Sequence, residues 1–170
     1  MTIGLLLAAL AAPSSAEGQP PWDGIPPLTI YQLAYLVQRN AKQITLGARL
    51  QLPADVHGKM PAVIMMHGTG GIRYSGVYYA AALNAASIAT LEVDQWGGRG
   101  LPAGAASRPA HLTDNLGDIA GAYHLLIARP DIDGSRIGLL GESMGGIETL
   151  LTMTHANSDF AGRYSGRICT

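Results

Sequence analysis

The sequence predicts an α/β domain built on a mostly parallel sheet with helices on both faces. Three observations carry this. From residue 44 onward, short apolar runs alternate with stretches of helical spacing, the pattern of β-α units joined by crossovers. Three glycine-rich stretches, 67–71 (HGTGG), 94–100 (DQWGGRG) and 141–146 (GESMGG), each follow such a run, and parallel sheets bind ligands at the carboxyl ends of their strands. The chain is 48% hydrophobic and 14% charged with 22 glycines, a composition that suits a buried sheet with tight turns and not a disordered chain.

The elements follow in order. Residues 28–37 (LTIYQLAYLV) read as a strand. In 44–52, Ile44, Leu46, Ala48, Leu50 and Leu52 alternate, which marks a second strand. A polar turn, Asp55 to Lys59, leads to PAVIMM at 61–66, a continuous apolar run typical of a strand buried on both faces. Alanine-rich 75–86 is a helix. SIATLEV at 87–93 is the next strand, and a Gly/Ala/Pro loop follows at 100–110. From Thr113, the positions Leu116, Ile119, Ala120, Tyr123, Leu126 and Ile127 keep helical spacing, with Asp114 in the first turn, so an amphipathic helix capped by that carboxylate is expected. Arg129-Pro130 ends it, and Asp131 to Gly134 turn into a strand at 136–141. A last helix runs from Met144 to about His155. The order is β-β-β-α-β-α-β-α.

Composition narrows the partners. Eleven Lys and Arg against 12 Asp and Glu give a net charge of −1, which offers no electrostatic case for nucleic acid or an anionic membrane. No Gly-x4-Gly-Lys-Ser/Thr stretch and no His/Cys/carboxylate cluster of metal spacing is present, so no nucleotide, metal or organic cofactor is implied. The single Cys169 cannot make an internal disulfide. Ile3 to Ala12 is an apolar run closed by Pro13-Ser14-Ser15-Ala16. It is too short to span a bilayer, and its small residues at 14 and 16 fit signal-peptidase cleavage after Ala16. The expectation is a signal peptide over 1–16, an extended leader over 17–27 and one domain from 28 to 170. The protein is then exported, with no stable membrane insertion, although no Lys or Arg precedes Arg39. A mature N terminus at Glu17 is the observable.

The stretch Gly141-Glu142-Ser143-Met144-Gly145 joins a strand to a helix. A serine hydroxyl is a poor nucleophile until a base takes its proton, but position can be supplied locally. A strand–turn–helix with Gly-x-Ser-x-Gly holds Ser143 on a tight bend at the sheet's end, and Gly141 and Gly145 let strand and helix approach. The hydroxyl then sits at a helix N terminus, where free N–H groups favour developing negative charge. Met144 N–H is one expected oxyanion donor. The loop His67-Gly68-Thr69-Gly70-Gly71 is expected to supply the other, from Thr69 or alternatively from Gly70. His67 and Gly68 are read as shaping that loop. Arg99 is a candidate for binding a substrate carboxylate and Trp96 for lining an acyl or leaving-group pocket. Their alternative reading is loop-shaping, as for Asp94. His111 and His124 read as structural, and Asp131 and Asp133 as turn formers.

The pieces PAVIMMHGTGG (61–71), ATLEVDQWGGRG (89–100) and ARPDIDGSRIGLLGESMGG (128–146) resemble the α/β-hydrolase superfamily. More narrowly they resemble dienelactone hydrolases and their esterase-like and peptidase-like relatives, over residues 44–157. The resemblance implies an acyl-serine mechanism on a small carboxylic ester or lactone, with the oxyanion N–H from the residue after His67-Gly68. Dienelactone hydrolases usually carry cysteine at the nucleophile, so Ser143 points toward the serine-esterase side. The family's chain order puts an acid and then a histidine after the nucleophile. Only 27 residues follow Ser143, and their one histidine is His155, roughly 18 Å down the helix axis and out of reach of the hydroxyl. Asp159 lies beyond it. The expectation is the first five strands of a larger fold, with 136–141 on the sheet's edge, catalytic Asp and His missing, and little activity in this chain alone. The alternatives are a non-catalytic or truncated hydrolase-like binding module and a peptidase of the same fold.

Overall fold

β1 (Leu28–Arg39) and β2 (Lys42–Pro53) pair antiparallel along their whole length, from Leu28 opposite Pro53 to Arg39 opposite Lys42. The computed structural model describes residues 26–39 and 42–154. The expectations for the 1–16 leader, nearly all of 17–27, His155, Asp159 and Cys169 lie outside the described residues. The alternation read in β2 faces the core: Leu46, Ala48, Leu50 and Leu52 are buried.

β3 (Met60–Met66), β4 (Ala89–Asp94) and β5 (Ile132–Gly141) complete a five-stranded sheet of order β1-β2-β4-β3-β5. The sheet is mixed. β2 joins β4 antiparallel, while β4, β3 and β5 run parallel. The apolar run of β3 is an inner strand, flanked by β4 and β5, as its lack of polar residues requires. β5 is an edge strand among the described residues, in the place read for 136–141. It begins earlier, at Ile132. Its register slips between the Met60–Ile132 and Ala62–Ile137 pairs, where Pro61 has no N–H to give the ladder. Asp133 folds that irregular stretch by accepting the Ser135 N–H (3.0 Å) and hydroxyl (2.6 Å).

Helices cover both faces. α1 (Tyr74–Ala85) lies over Met65, Thr90 and Glu92. Its Gly76 approaches so closely that a Cβ there would sit 2.1 Å from Glu92 Oε1. On the same side, wholly buried Asn84 donates to the Ile88 carbonyl at 3.0 Å. α2 (Leu116–Ile127) covers the other face, where Ile119, Ala122, Tyr123 and Leu126 pack on Leu46, Leu50, Ile64, Met66, Leu91 and Val93. Each such Leu or Ile contributes about 1.5–3 kcal/mol by burial. α3 (Met144–Thr154) lies beside α2 and β5.

The start of α2 differs from expectation. Residues 112–115 form a turn of 3-10 helix, and Asp114 caps nothing. Its carboxylate pairs with Arg39 at 3.0 Å, tying this turn to the far end of β1.

Candidate active site

β5 ends at Gly141, and α3 begins three residues later. The reversal forces Ser143 into the left-handed region, φ +51°, a conformation that costs a non-glycine residue on the order of 1–3 kcal/mol. Such strain persists only where the surroundings over-determine it, and here two glycines do so. A Cβ on Gly141 would lie 2.2 Å from the Gly145 carbonyl oxygen, and one on Gly145 would lie 2.3 Å from that of Met66. Glu142 N–H donates to Met66 O (3.1 Å) and Gly145 N–H to Glu142 O (2.9 Å), pinning the bend to β3. The Ser143 residue is exposed and Met144 is buried.

The loop after β3 lies against this bend. A Cβ on Gly68 would sit 3.3 Å from Ser143 Cβ and 3.1 Å from the Glu142 carbonyl oxygen. Gly71, at φ +77°, turns the chain back and donates its N–H to Gly68 O at 3.0 Å. Thr69 O accepts from Gly104 N–H (2.9 Å) and from Trp96 Nε1 (3.1 Å), which fixes its peptide plane. Gly70 is crossed by the Arg73 guanidinium, whose Nε donates to Gly70 O at 3.4 Å. The Thr69 and Met144 N–H groups have no acceptor among the described residues. Beside the bend, on the α1 side, a cleft of about 300 Å³ (counting its open mouth) is lined by Met65, Arg73, Ser75, Tyr79, Leu140 and Glu142. Ser75 donates to Glu142 Oε2 at 2.5 Å.

His67 is 7% exposed. Its Nε2 accepts the Gln95 N–H (3.1 Å), so Nδ1 carries the hydrogen and donates to Gly68 O (2.8 Å). With both ring nitrogens engaged, His67 orders the loop. Trp96 is 3% exposed and stands 5.1 Å from the His67 ring. Its indole clamps Thr69, so the pocket-lining reading is replaced by a supporting one. Arg99 is corrected in the same way. Its side chain is 6% exposed and binds Asp118 Oδ1 (2.8 Å) and the Gln95 carbonyl (2.8 Å), which leaves it facing a carboxylate of the protein itself.

That pair opens a buried network the sequence did not reveal. Gln95 Nε2 donates to Glu148 Oε2 (2.9 Å) and Asp118 Oδ2 (3.3 Å), and Asn115 Nδ2 donates to Glu148 Oε1 (2.9 Å). Tyr35 OH donates to Asp118 O at 2.9 Å. Glu148 is wholly buried on α3. Burial, and secondarily the Asp118 charge, push its carboxyl up to about 7 against the opposing pull of the Asn115 and Gln95 hydrogen bonds and of Arg99. The folded state therefore favours the protonated acid. Its contribution is complete below the unfolded value near 4.5 and is lost as pH rises through about 7. Unfolding in urea at pH 5, 6, 7 and 8 should show stability falling by roughly 2–4 kcal/mol from this group. Glu148→Gln should flatten that slope; an unchanged slope would assign it elsewhere.

Among the described residues no group of three or more His, Cys, Asp or Glu side chains is placed to hold a metal ion. No helix there is long and apolar enough to cross a membrane.

No family model and no curated protein sequence matches the chain. Solved structures do match in fold. A protein described as m3DLH aligns with TM-score 0.60 and 21% identity, over 82% of this chain and 66% of its own. A dienelactone hydrolase-like promiscuous phosphotriesterase from metagenomic libraries aligns with TM-score 0.56 and 21% identity, over 81% and 66%. Brefeldin A esterase, a bacterial homologue of human hormone-sensitive lipase, aligns with TM-score 0.59 and 20% identity, over 95% and 40%. The fold is thus the α/β-hydrolase fold, and this chain spans from two fifths to two thirds of the length of those proteins.

Proposed function

We propose that the protein is a serine hydrolase of the dienelactone hydrolase type, acting on carboxylic esters or lactones through an acyl-Ser143 intermediate. The observation that carries this reading is the left-handed Ser143 at a β-to-α junction, held against the Gly68-Thr69 loop. Ser143 Oγ attacks the carbonyl carbon while a general base, which none of the described residues supplies, takes its proton and passes it to the leaving oxygen. The N–H groups of Thr69 and Met144 receive the oxyanion, the alcohol leaves, and water hydrolyses the acyl ester. Donors already aimed at the developing charge are the largest single source of rate in such reactions. The small residues around the bend leave Ser143 open to a planar ester.

A non-catalytic hydrolase-like module is the second reading. It is favoured by one observation: no described side chain hydrogen-bonds to the Ser143 hydroxyl.

A fluorophosphonate probe separates the two. Modification of the native protein at one peptide, with the adduct on Ser143 by mass spectrometry and lost in Ser143→Ala, requires an activated serine and upholds the hydrolase. Folded protein that stays unlabelled has no activated serine, and the module reading would then stand.

A further inference from the structure

The two N–H groups assigned to the oxyanion come from separate parts of the chain. Thr69 lies in the loop after β3, and Met144 opens α3. Their spacing depends on what ties loop to helix. Two consecutive residues after β4 do this. The Gln95 N–H holds His67 Nε2 (3.1 Å), and His67 Nδ1 holds the Gly68 carbonyl (2.8 Å). The Trp96 indole holds the Thr69 carbonyl (3.1 Å). Turned the other way, the Gln95 side chain donates to Glu148 Oε2 at 2.9 Å. Glu148 lies one turn beyond Met144 on the same buried face of α3.

Gln95 is wholly buried, and its Oε1 finds no partner among the described residues. A buried acceptor without a partner is destabilising. An apolar side chain of the same length would avoid that cost but could not hold Glu148. Breaking a local rule at a point where a site is assembled is the pattern of a residue kept for position.

We infer that Gln95 is a positioning residue: its backbone N–H and its side-chain amide together fix the oxyanion loop against α3, and so set the gap between the Thr69 and Met144 N–H groups. This rests on the oxyanion-hole reading proposed above. Asp118, the second acceptor of the same amide at 3.3 Å and the partner of Arg99, holds Gln95 in the orientation that reaches Glu148.

The test uses the full chain with Gln95→Met, Glu148→Met and the double variant. Gln95→Met keeps the length and removes both donors, leaving the backbone bond to His67 intact. Three readouts are taken on protein shown by thermal melting to be folded. Amide hydrogen exchange over 67–71 reads the tether without any need for activity; it should quicken by about tenfold while β4 and α2 stay as in the parent. The Ser143 labelling rate by fluorophosphonate should fall by about 10–100-fold. With p-nitrophenyl acetate the loss should appear in kcat with KM within about twofold, because oxyanion contacts form only in the transition state. The double variant should be no worse than the worse single, since both cut one contact.

Exchange and labelling within twofold of the parent in Gln95→Met would overturn the assignment, as would fully additive losses in the double variant. If the parent itself does not label, the proposed function falls. The tether is then judged by exchange alone: quickened 67–71 upholds it and unchanged 67–71 removes it. If Gln95→Met does not fold, Glu148→Met cuts the same contact from the other end and is read by the same criteria.

Discussion

Gly145→Ala is expected to lower stability by roughly 2–4 kcal/mol and the melting temperature by about 5–15 °C. Helix propensity alone predicts the opposite sign, because alanine improves on glycine inside a helix by about 1 kcal/mol. Packing decides the case. The added carbon would meet the Met66 carbonyl oxygen at 2.3 Å, the Met66 carbonyl carbon at 2.7 Å and the His67 carbonyl oxygen at 2.8 Å. These are backbone atoms at the end of β3 and the start of its loop, and they cannot rotate away. Relief requires α3 to lift from β3, which moves Met144 and Ser143 with it. Labelling of Ser143 should therefore fall beyond what the lost folded population explains. Gly117→Ala on α2 is the control. Its nearest neighbour is Gln38 O at 3.8 Å, so alanine there should be neutral or stabilising by up to about 1 kcal/mol. Thermal melts of the two variants side by side check the argument. Equal shifts would mean that propensity, and not contact with β3, governs both sites.

Asp118→Ala should cost about 3–5 kcal/mol, the range for removing one partner of a buried ion pair. The substitution leaves the Arg99 guanidinium, 6% exposed, without its carboxylate, and strips an acceptor from Gln95. Most of the loss is the penalty of an unpaired buried charge, so Asp118→Leu with Arg99→Met should recover much of it. Asp114→Ala breaks an ion pair of similar length with Arg39, but there both side chains remain about a third exposed. Solvent screens that pair, and its loss should stay within about 1 kcal/mol. Urea midpoints of the four proteins give the comparison. A double variant as unstable as Asp118→Ala would mean that the site needs its charges for more than mutual compensation.

The sheet and the bend were legible because their signals are local. Alternation in 44–52, the apolar run of 61–66, and glycines two residues either side of Ser143 each report on a few neighbouring residues. The loop at 67–71 could be paired with the bend because both follow parallel strands. The buried network was not legible, since it joins residues from four parts of the chain. A trace of it was nevertheless present. Asn115 and Asp118 fall on the stripe made by Ile119, Ala122, Tyr123 and Leu126, all buried, and Glu148 falls between buried Met144 and Thr152. Polar residues inside an apolar stripe announce a buried hydrogen-bonded cluster. For Arg99 and Trp96 substrate contact and loop-shaping stay open in the sequence, because a cation or an indole at a strand's carboxyl end looks the same whichever way it turns. Asp118, invisible until the helix is docked, turns Arg99 inward. Asp114 shows the same limit: a carboxylate in a first helical turn suits a cap and a distant arginine equally well.

The backbone at Ser143 also bounds how this position can diverge or be re-engineered. A left-handed residue tolerates an unbranched β-carbon far better than a branched one. Cysteine, aspartate and asparagine can replace serine with little change in conformational energy, whereas threonine, with the same hydroxyl and one more methyl, pays a steric penalty before any chemistry begins. A library at position 143 is thus filtered by dihedral angle before side-chain chemistry, and exchange between a hydroxyl and a thiol is the step that the backbone leaves open.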